Sequence, residues 1–149
     1  MDITFRVATR TDLDLILPLV QAYYEFDHLS FDERVARTAL EHFMNDPTFG
    51  RVWLISVDRE LVGYLILTLG YSIEYGGRDA FIDEVYIHAE YRGRGIDSRV
   101  LSFAEEECRA LGVRALHLEV EQENTQTQRL YRKVGFLDHA RYLMTKRVS

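Results

Sequence analysis

Thiol chemistry is nearly absent from this chain: Cys108 is its one cysteine. A single cysteine excludes an internal disulfide and suits a reducing compartment. It falls mid-helix in FAEEECRAL with no histidine arranged beside it, so it reads as a small buried residue rather than a nucleophile. Metal-ligand spacing is missing as well. His28, His42, His88, His117 and His139 are scattered, and no metal is expected. Positive charge is in deficit, 18 Lys and Arg against 24 Asp and Glu for a net −6. That lacks the basic footprint of nucleic-acid binding and mildly suits a cationic small partner. Long apolar runs are missing too: LVGYLILTLGY, residues 61–71, is shorter than the ~20 residues a membrane-spanning helix needs. The start, MDITFRVATR, has no basic segment followed by an apolar stretch, so no secretory signal is expected. Linkers, repeats and low-complexity tracts are likewise missing. The expectation is one cytoplasmic domain over residues 1–149, with neither nucleic acid nor membrane as partner.

What is present is patterned. Residues 3–9 (ITFRVAT) alternate as a strand does. Leu13, Ile16, Leu17, Val20 and Tyr24 then recur at helical spacing, with Thr11 or Asp12 as N-cap. Residues 30–45 form a second predicted helix whose inner side holds Val35, Leu40, Phe43 and Met44, stopped by Asp46-Pro47. Strands are expected at 51–57 and 61–69 around the turn Asp58-Arg59-Glu60, and a third at 80–88 after a loop over 71–79. A helix over 98–111 ends at Gly112, a strand follows at 115–120, and a helix over 124–134 is bounded by Asn124 and Gly135. A last strand is expected at 142–148. Hairpins followed by strand–helix–strand–helix–strand imply an α/β fold: a mixed, mostly antiparallel sheet with helices on both faces.

Two segments carry chemistry. YRGRGID, residues 91–97, leads from a strand through glycines into a helix, where unpaired backbone N–H groups attract anions. It lacks the Gly-Lys-Ser/Thr of a Walker loop. Where a dinucleotide fingerprint has its third glycine, this chain has Ser98. QENTQTQRLYRKVGF, residues 122–136, sets Asn124 and Tyr131 two helical turns apart on one face. Taken singly, Asn124 also reads as a plain N-cap and Tyr131 as a core aromatic.

Together the two segments resemble the GCN5-related N-acetyltransferase (GNAT) superfamily. Arg92, Gly93, Arg94, Gly95, Ile96 and Asp97 fall on its acetyl-CoA motif Arg/Gln-x-x-Gly-x-Gly/Ala, with Asp97 in the small-residue place. Asn124, Tyr131, Gly135 and Phe136 fall on its second motif, with Thr127 where alanine is usual. IDEVYI before the loop is similar to the family's Ile-Glu-Asp-Leu-Tyr-Val strand. The segment AYYEFDHLSFDE, residues 22–33, resembles spermidine/spermine acetyltransferases. The order of elements fits along essentially the whole chain.

The resemblance implies a GNAT fold, acetyl-CoA as cosubstrate, and direct transfer to a primary amine of a small molecule, polyamine or lysine-like. An aminoglycoside or a protein N-terminus follows as acceptor. The backbone of Val85, Tyr86 and Ile87 would pair with the pantetheine arm. N–H groups from Gly93, Arg94, Gly95, Ile96, Asp97 and Ser98 would hold the pyrophosphate, with Arg92, Arg94 and Arg99 near the phosphates. Asn124 would contact the cofactor further along. Tyr131 would protonate the departing thiolate, and the N–H of Ile87 would face the developing oxyanion. An alkyl amine must lose a proton before it attacks. Asp83 is ranked first as the base, then Glu84, then Glu119. Asp83 and Glu84, adjacent on a strand, are expected on opposite faces. Phe26, Asp27, Glu74 and Glu119 are the expected acceptor contacts, aromatics beside acids suiting a cation. The family usually dimerises, so a homodimer is implied. The departures at Asp97 and Thr127 motivate a rival expectation, a GNAT-fold protein that binds acetyl-CoA weakly and catalyses nothing.

Overall fold

The computed structural model describes residues 1–149. By internal contacts they form two compact units, 1–119 and 120–149. The first begins with β1 (Ile3–Val7), α1 (Leu13–Phe26), α2 (Glu33–Asn45), β2 (Gly50–Val57) and β3 (Glu60–Ser72). It continues with β4 (Gly77–Ile87), α3 (Ile96–Ala110) and β5 (Ala115–His117). The second unit contains α4 (Thr125–Lys133).

The sheet runs β1-β2-β3-β4-β5. Every pairing is antiparallel except β4 with β5, which α3 joins as a parallel crossover. Alternation along the strands divides the core into two layers. Val52, Leu54, Tyr64, Ile66 and Tyr86 share one face and pack in a cluster with Ile16, Leu17 and Val20 of α1 and Leu40 of α2. Trp53, Leu65 and Leu67 belong to the other face. There α3 buries Ile96, Val100, Ala104 and Cys108, four apart along the helix. Phe103 of α3 stacks on Phe5 at 3.9 Å and meets Trp53 edge-on at 5.3 Å. Each fully buried aliphatic side chain contributes about 1.5–3 kcal/mol, which fixes the register of the strand presenting it.

Several boundaries differ from the sequence expectation. Asp12 does not cap α1 with its side chain. It is buried and accepts both guanidinium nitrogens of Arg6 at 3.0 Å and the Thr9 N–H at 2.9 Å. Helix α2 begins at Glu33 because Asp32 caps it, accepting from the N–H groups of Arg34 and Val35. Val35, expected inside, is 65% exposed. The expected 71–79 loop shrinks to a turn at 73–76, since pairing continues through Tyr71↔Arg78 and Ser72↔Gly77. A long-range contact supports that extension: the Arg114 N–H donates to the Arg78 carbonyl at 2.8 Å. Helix α3 starts at Ile96 with Gly95 as N-cap, earlier than Ser98. The expected strand at 115–120 ends at His117, and 142–148 is not a strand. An alternating pattern needs a partner ladder to become a strand, and no pairing reaches this segment.

Candidate active site

Strand β4 organises the first unit's candidate site through two irregularities. The first is a bulge. Glu84 faces Ile66 and Ile82 faces Leu67, so Asp83 is the extra residue. The bulge resets the alternation, and Asp83 and Glu84 turn toward the same side. Their charges both act on the phenols of Tyr23 and Tyr24 of α1. This corrects the expectation of opposite faces, which holds only for a regular strand.

The two carboxylates differ in what holds them. Glu84 is fully engaged: Oε2 accepts from the Tyr24 hydroxyl at 2.6 Å and Oε1 from the Tyr64 hydroxyl at 2.8 Å. Burial pushes its carboxyl up, the two phenols pull it down, and the Asp83 charge adds to the rise. No protein hydrogen bond holds the Asp83 carboxylate. It keeps a solvent-facing edge, yet the protein around it removes enough water to push its carboxyl up. The phenols respond in kind. Burial and nearby carboxylates push Tyr23 up to about 12, and Tyr24 and Tyr64 are raised further by the same causes. Asp27, the C-cap of α1, adds its charge and a hydrogen bond to Tyr23. The Tyr23 ring lies against Tyr24, Tyr64 and Tyr86, with centroids at 5.6, 6.5 and 6.2 Å. Tyr24 and Tyr64 were not singled out in the sequence. Their spacing is that of core aromatics, and only the fold brings them to Glu84.

The second irregularity is a gap. Parallel pairing ends at Phe81↔His117, so beyond it β4 has a partner on one side only. The His88 N–H donates to the Val62 carbonyl at 2.8 Å, which sets the phase of the antiparallel ladder. Residues 84, 86 and 88 therefore bond toward β3, while Val85 and Ile87 aim their main-chain groups into the gap. Tyr86, expected to pair with the cofactor through its backbone, instead serves β3 and the tyrosine layer. The Ile87 carbonyl is occupied by Nε of Arg92 at 2.9 Å. The N–H of Ile87 and both groups of Val85 stay open, a deficit that an added extended chain would fill.

Beyond the gap the chain turns into α3. Gly93 and Gly95 adopt φ of 75° and 79°, a region costly for side-chain-bearing residues, and an added Cβ at either would meet open space. No side chain caps α3, so the N–H groups of Ile96, Asp97 and Ser98 remain available to an anion. Asp97 is exposed in the first turn. Lost hydration pushes its carboxyl up, and the charge of Arg92 opposes that rise. The arginines are not arrayed as a phosphate clamp. Arg92 lies over the rings of Phe26 and Tyr86, Arg94 over Tyr91, and Arg99 over Phe5. The open strand edge and open helix start fit a ligand with an amide-bearing arm ending in phosphate, as acetyl-CoA has.

The remaining expected residues are scattered. Phe26 is 60% exposed at the end of α1. Glu74 stands in the β3–β4 turn, and Gly77 to Asp83 alone spans roughly 20 Å of strand. Glu119 is exposed beyond the end of β5. In the second unit, Asn124 caps α4, its side-chain oxygen accepting from the Thr127 N–H at 3.2 Å, which leaves its NH2 group as donor. Tyr131 is half-buried against Phe136, ring centroids 5.9 Å apart, and the Phe136 N–H donates to its carbonyl.

A family model described as Acetyltransferase (GNAT) family matches residues 14–136. The chain is similar to the thialysine N-epsilon-acetyltransferase of Bos taurus, 28% identical over 145 residues that cover 91% of this chain and 85% of the relative. An integron cassette protein from the mobile metagenome of Cole Harbour Salt Marsh superposes with a TM-score of 0.85 at 31% identity, covering 97% of this chain and 90% of that one. The aminoglycoside acetyltransferase AAC(6')-Iy, solved with a bisubstrate analogue, superposes with a TM-score of 0.83 over 100% of both chains. At 14% identity that likeness is of fold alone.

Proposed function

The chain belongs to the acetyltransferase (GNAT) family, and from that premise we propose that it acetylates a primary amine of a small cationic acceptor, lysine-like or polyamine. It is an acyltransferase, and acetyl-CoA is its cosubstrate. The observation that carries the acceptor class is the carboxylate–phenol layer. Asp83, Glu84 and Asp27 stand among Tyr23, Tyr24 and Tyr86, and Phe31 packs edge-on against Tyr24 at 5.9 Å. Acids set among aromatic faces suit an ammonium group. The thialysine specificity of the bovine relative supports the same class.

Asp83 is the base. Its carboxylate has no protein donor to satisfy, and a carboxyl raised by burial holds a proton better. Glu84 is a poorer candidate, because both its oxygens already accept phenol protons. It holds Tyr24 and Tyr64 in place and adds negative charge beside the ammonium. Acetyl-CoA supplies an activated acyl thioester. Val85 pairs the extended arm of that ligand through its outward backbone groups, and the N–H groups at the start of α3 receive its phosphates. The Ile87 N–H donates toward the acyl oxygen. The Tyr131 phenol gives its proton to the departing sulfur.

The test is a thiol-release assay with acetyl-CoA over thialysine, lysine, spermidine, an aminoglycoside and a peptide N-terminus. Turnover concentrated on the first three supports the reading. Preference for the aminoglycoside or the peptide refutes the acceptor class. Tight acetyl-CoA binding with no thiol release from any amine refutes turnover of these acceptors.

A further inference from the structure

Arg92 belongs by position to the acetyl-CoA motif, yet its side chain does not reach along the loop. Its Nε donates to the Ile87 carbonyl, the last main-chain group of β4 aimed into the gap. Its guanidinium carbon lies 4.2 Å from the centroid of Phe26 and 5.5 Å from that of Tyr86. Phe26 ends α1, the helix that supplies Tyr23 and Tyr24 to the carboxylates. Tyr86 belongs to the same aromatic layer, and its hydroxyl meets Nδ1 of His88 at 3.3 Å. One cation thus touches the end of the cofactor strand and the end of the acceptor helix.

We propose that Arg92 is a positioning residue that couples the two half-sites: by bridging Ile87 and Phe26 it sets the acceptor helix against the cofactor strand. The proposal rests on the acceptor reading above. The geometry gives the coupling a physical route. With its carbonyl held by Arg92, Ile87 keeps its N–H aimed into the gap, because both groups of one extended residue turn together. Phe26 is 60% exposed, so little apolar packing holds it, and the guanidinium face is its main anchor. A strand ordered by an added chain therefore holds Arg92 still, and Arg92 holds the end of α1. By linkage, acetyl-CoA then tightens the amine, and the amine tightens acetyl-CoA by the same factor.

The experiment measures dissociation constants by calorimetry: acetyl-CoA alone, and thialysine with and without saturating CoA. The variants are Arg92→Gln, Arg92→Lys, Phe26→Leu and the Gln/Leu double variant. Glutamine keeps a donor for Ile87 but loses the cation, and lysine restores the cation. In the wild type, CoA should tighten thialysine about fivefold or more. Arg92→Gln and Phe26→Leu should each cut that factor to within twofold of one, and the double variant should go no lower. Arg92→Lys should recover part of it, and acetyl-CoA alone should bind all variants within about threefold. If Arg92→Gln weakens acetyl-CoA alone more than tenfold and leaves the thialysine factor intact, Arg92 is a phosphate ligand and the proposal falls. Additive losses in the double variant also overturn it. If thialysine and spermidine both fail to bind the wild type, the acceptor reading fails first. The coupling is then read from acetyl-CoA protection of α1 amides against hydrogen exchange, which Arg92→Gln must abolish.

Discussion

Replacing Asp83 by asparagine removes the proposed base while keeping its shape. An alkyl ammonium of pKa about 10.4 is neutral in only about one molecule in a thousand at pH 7.4. The base's task at that pH therefore covers up to roughly three orders of magnitude, about 4 kcal/mol. General bases commonly supply 10²–10⁴-fold. The structure puts Asp83 at the capable end of this range: burial raises its carboxyl and no phenol competes for its lone pairs. Asp83→Asn should lower kcat/KM about 10²–10³-fold at pH 7.4. The deficit should then shrink about tenfold per pH unit toward pH 10, as the amine ionises without help. The wild type should instead plateau above an acid limb set by Asp83, displaced upward from the ordinary aspartate value of about 3.9. Glu84→Gln is the control. It disturbs the Tyr24 and Tyr64 bonds and should raise the amine KM without changing the shape of the profile. The assay is thiol release from saturating acetyl-CoA across pH 6–10. If Asp83→Asn stays within threefold of wild type at pH 7.4, the reasoning fails. If the unit-slope profile appears in Glu84→Gln instead, the base is Glu84.

Other outcomes follow from single contacts. Asp97→Gly removes a charge from the helix start. A unit charge pair ~5 Å apart at an effective dielectric of ~20 is worth about 3 kcal/mol before screening, and solvent and Arg92 reduce it. Acetyl-CoA should bind about tenfold tighter at low salt by calorimetry, with the gain fading as salt rises. Tyr24→Phe removes a charge-assisted hydrogen bond of about 1.5 kcal/mol. The Glu84 carboxyl should titrate about one unit higher by NMR. Tyr131→Phe should cut kcat about a hundredfold and leave acetyl-CoA affinity within threefold, read by single-turnover kinetics and calorimetry. Arg6 holds the Asp12 carboxyl below the usual range, so their pairing adds stability above about pH 4 and loses it as pH falls through the depressed value. Arg6→Ala should lower Tm at pH 7, and the difference should vanish near pH 2 in a melting series.

Strand order and helix positions were legible because apolar spacing and loop chemistry are local. Ile96, Val100, Ala104 and Cys108 recur every four residues, and that alone requires a helix with one buried face. Gly93 and Gly95 marked a positive-φ turn into that helix. Errors fell where a boundary depends on a distant partner. The β3–β4 ladder ran on through Ser72↔Gly77 because a partner strand was there to bond. Residues 142–148 had the alternating pattern, but no neighbouring ladder meets them.

By itself, then, the sequence determined the family, the α/β order, and the identity of the glycine loop and of the pair Asp83–Glu84. All of these are matters of residue type at short spacing. Tertiary structure decided what the pair does. The bulge at Asp83 exists only as a mismatch between two paired strands, and it brings both carboxylates to one side. Tyr24 and Tyr64 are 60 and 20 residues from Glu84 along the chain, and only packing brings their hydroxyls to its oxygens. The gap beside Val85 and Ile87 likewise opens because β5 stops pairing at His117, a fact about two strands that no single stretch contains.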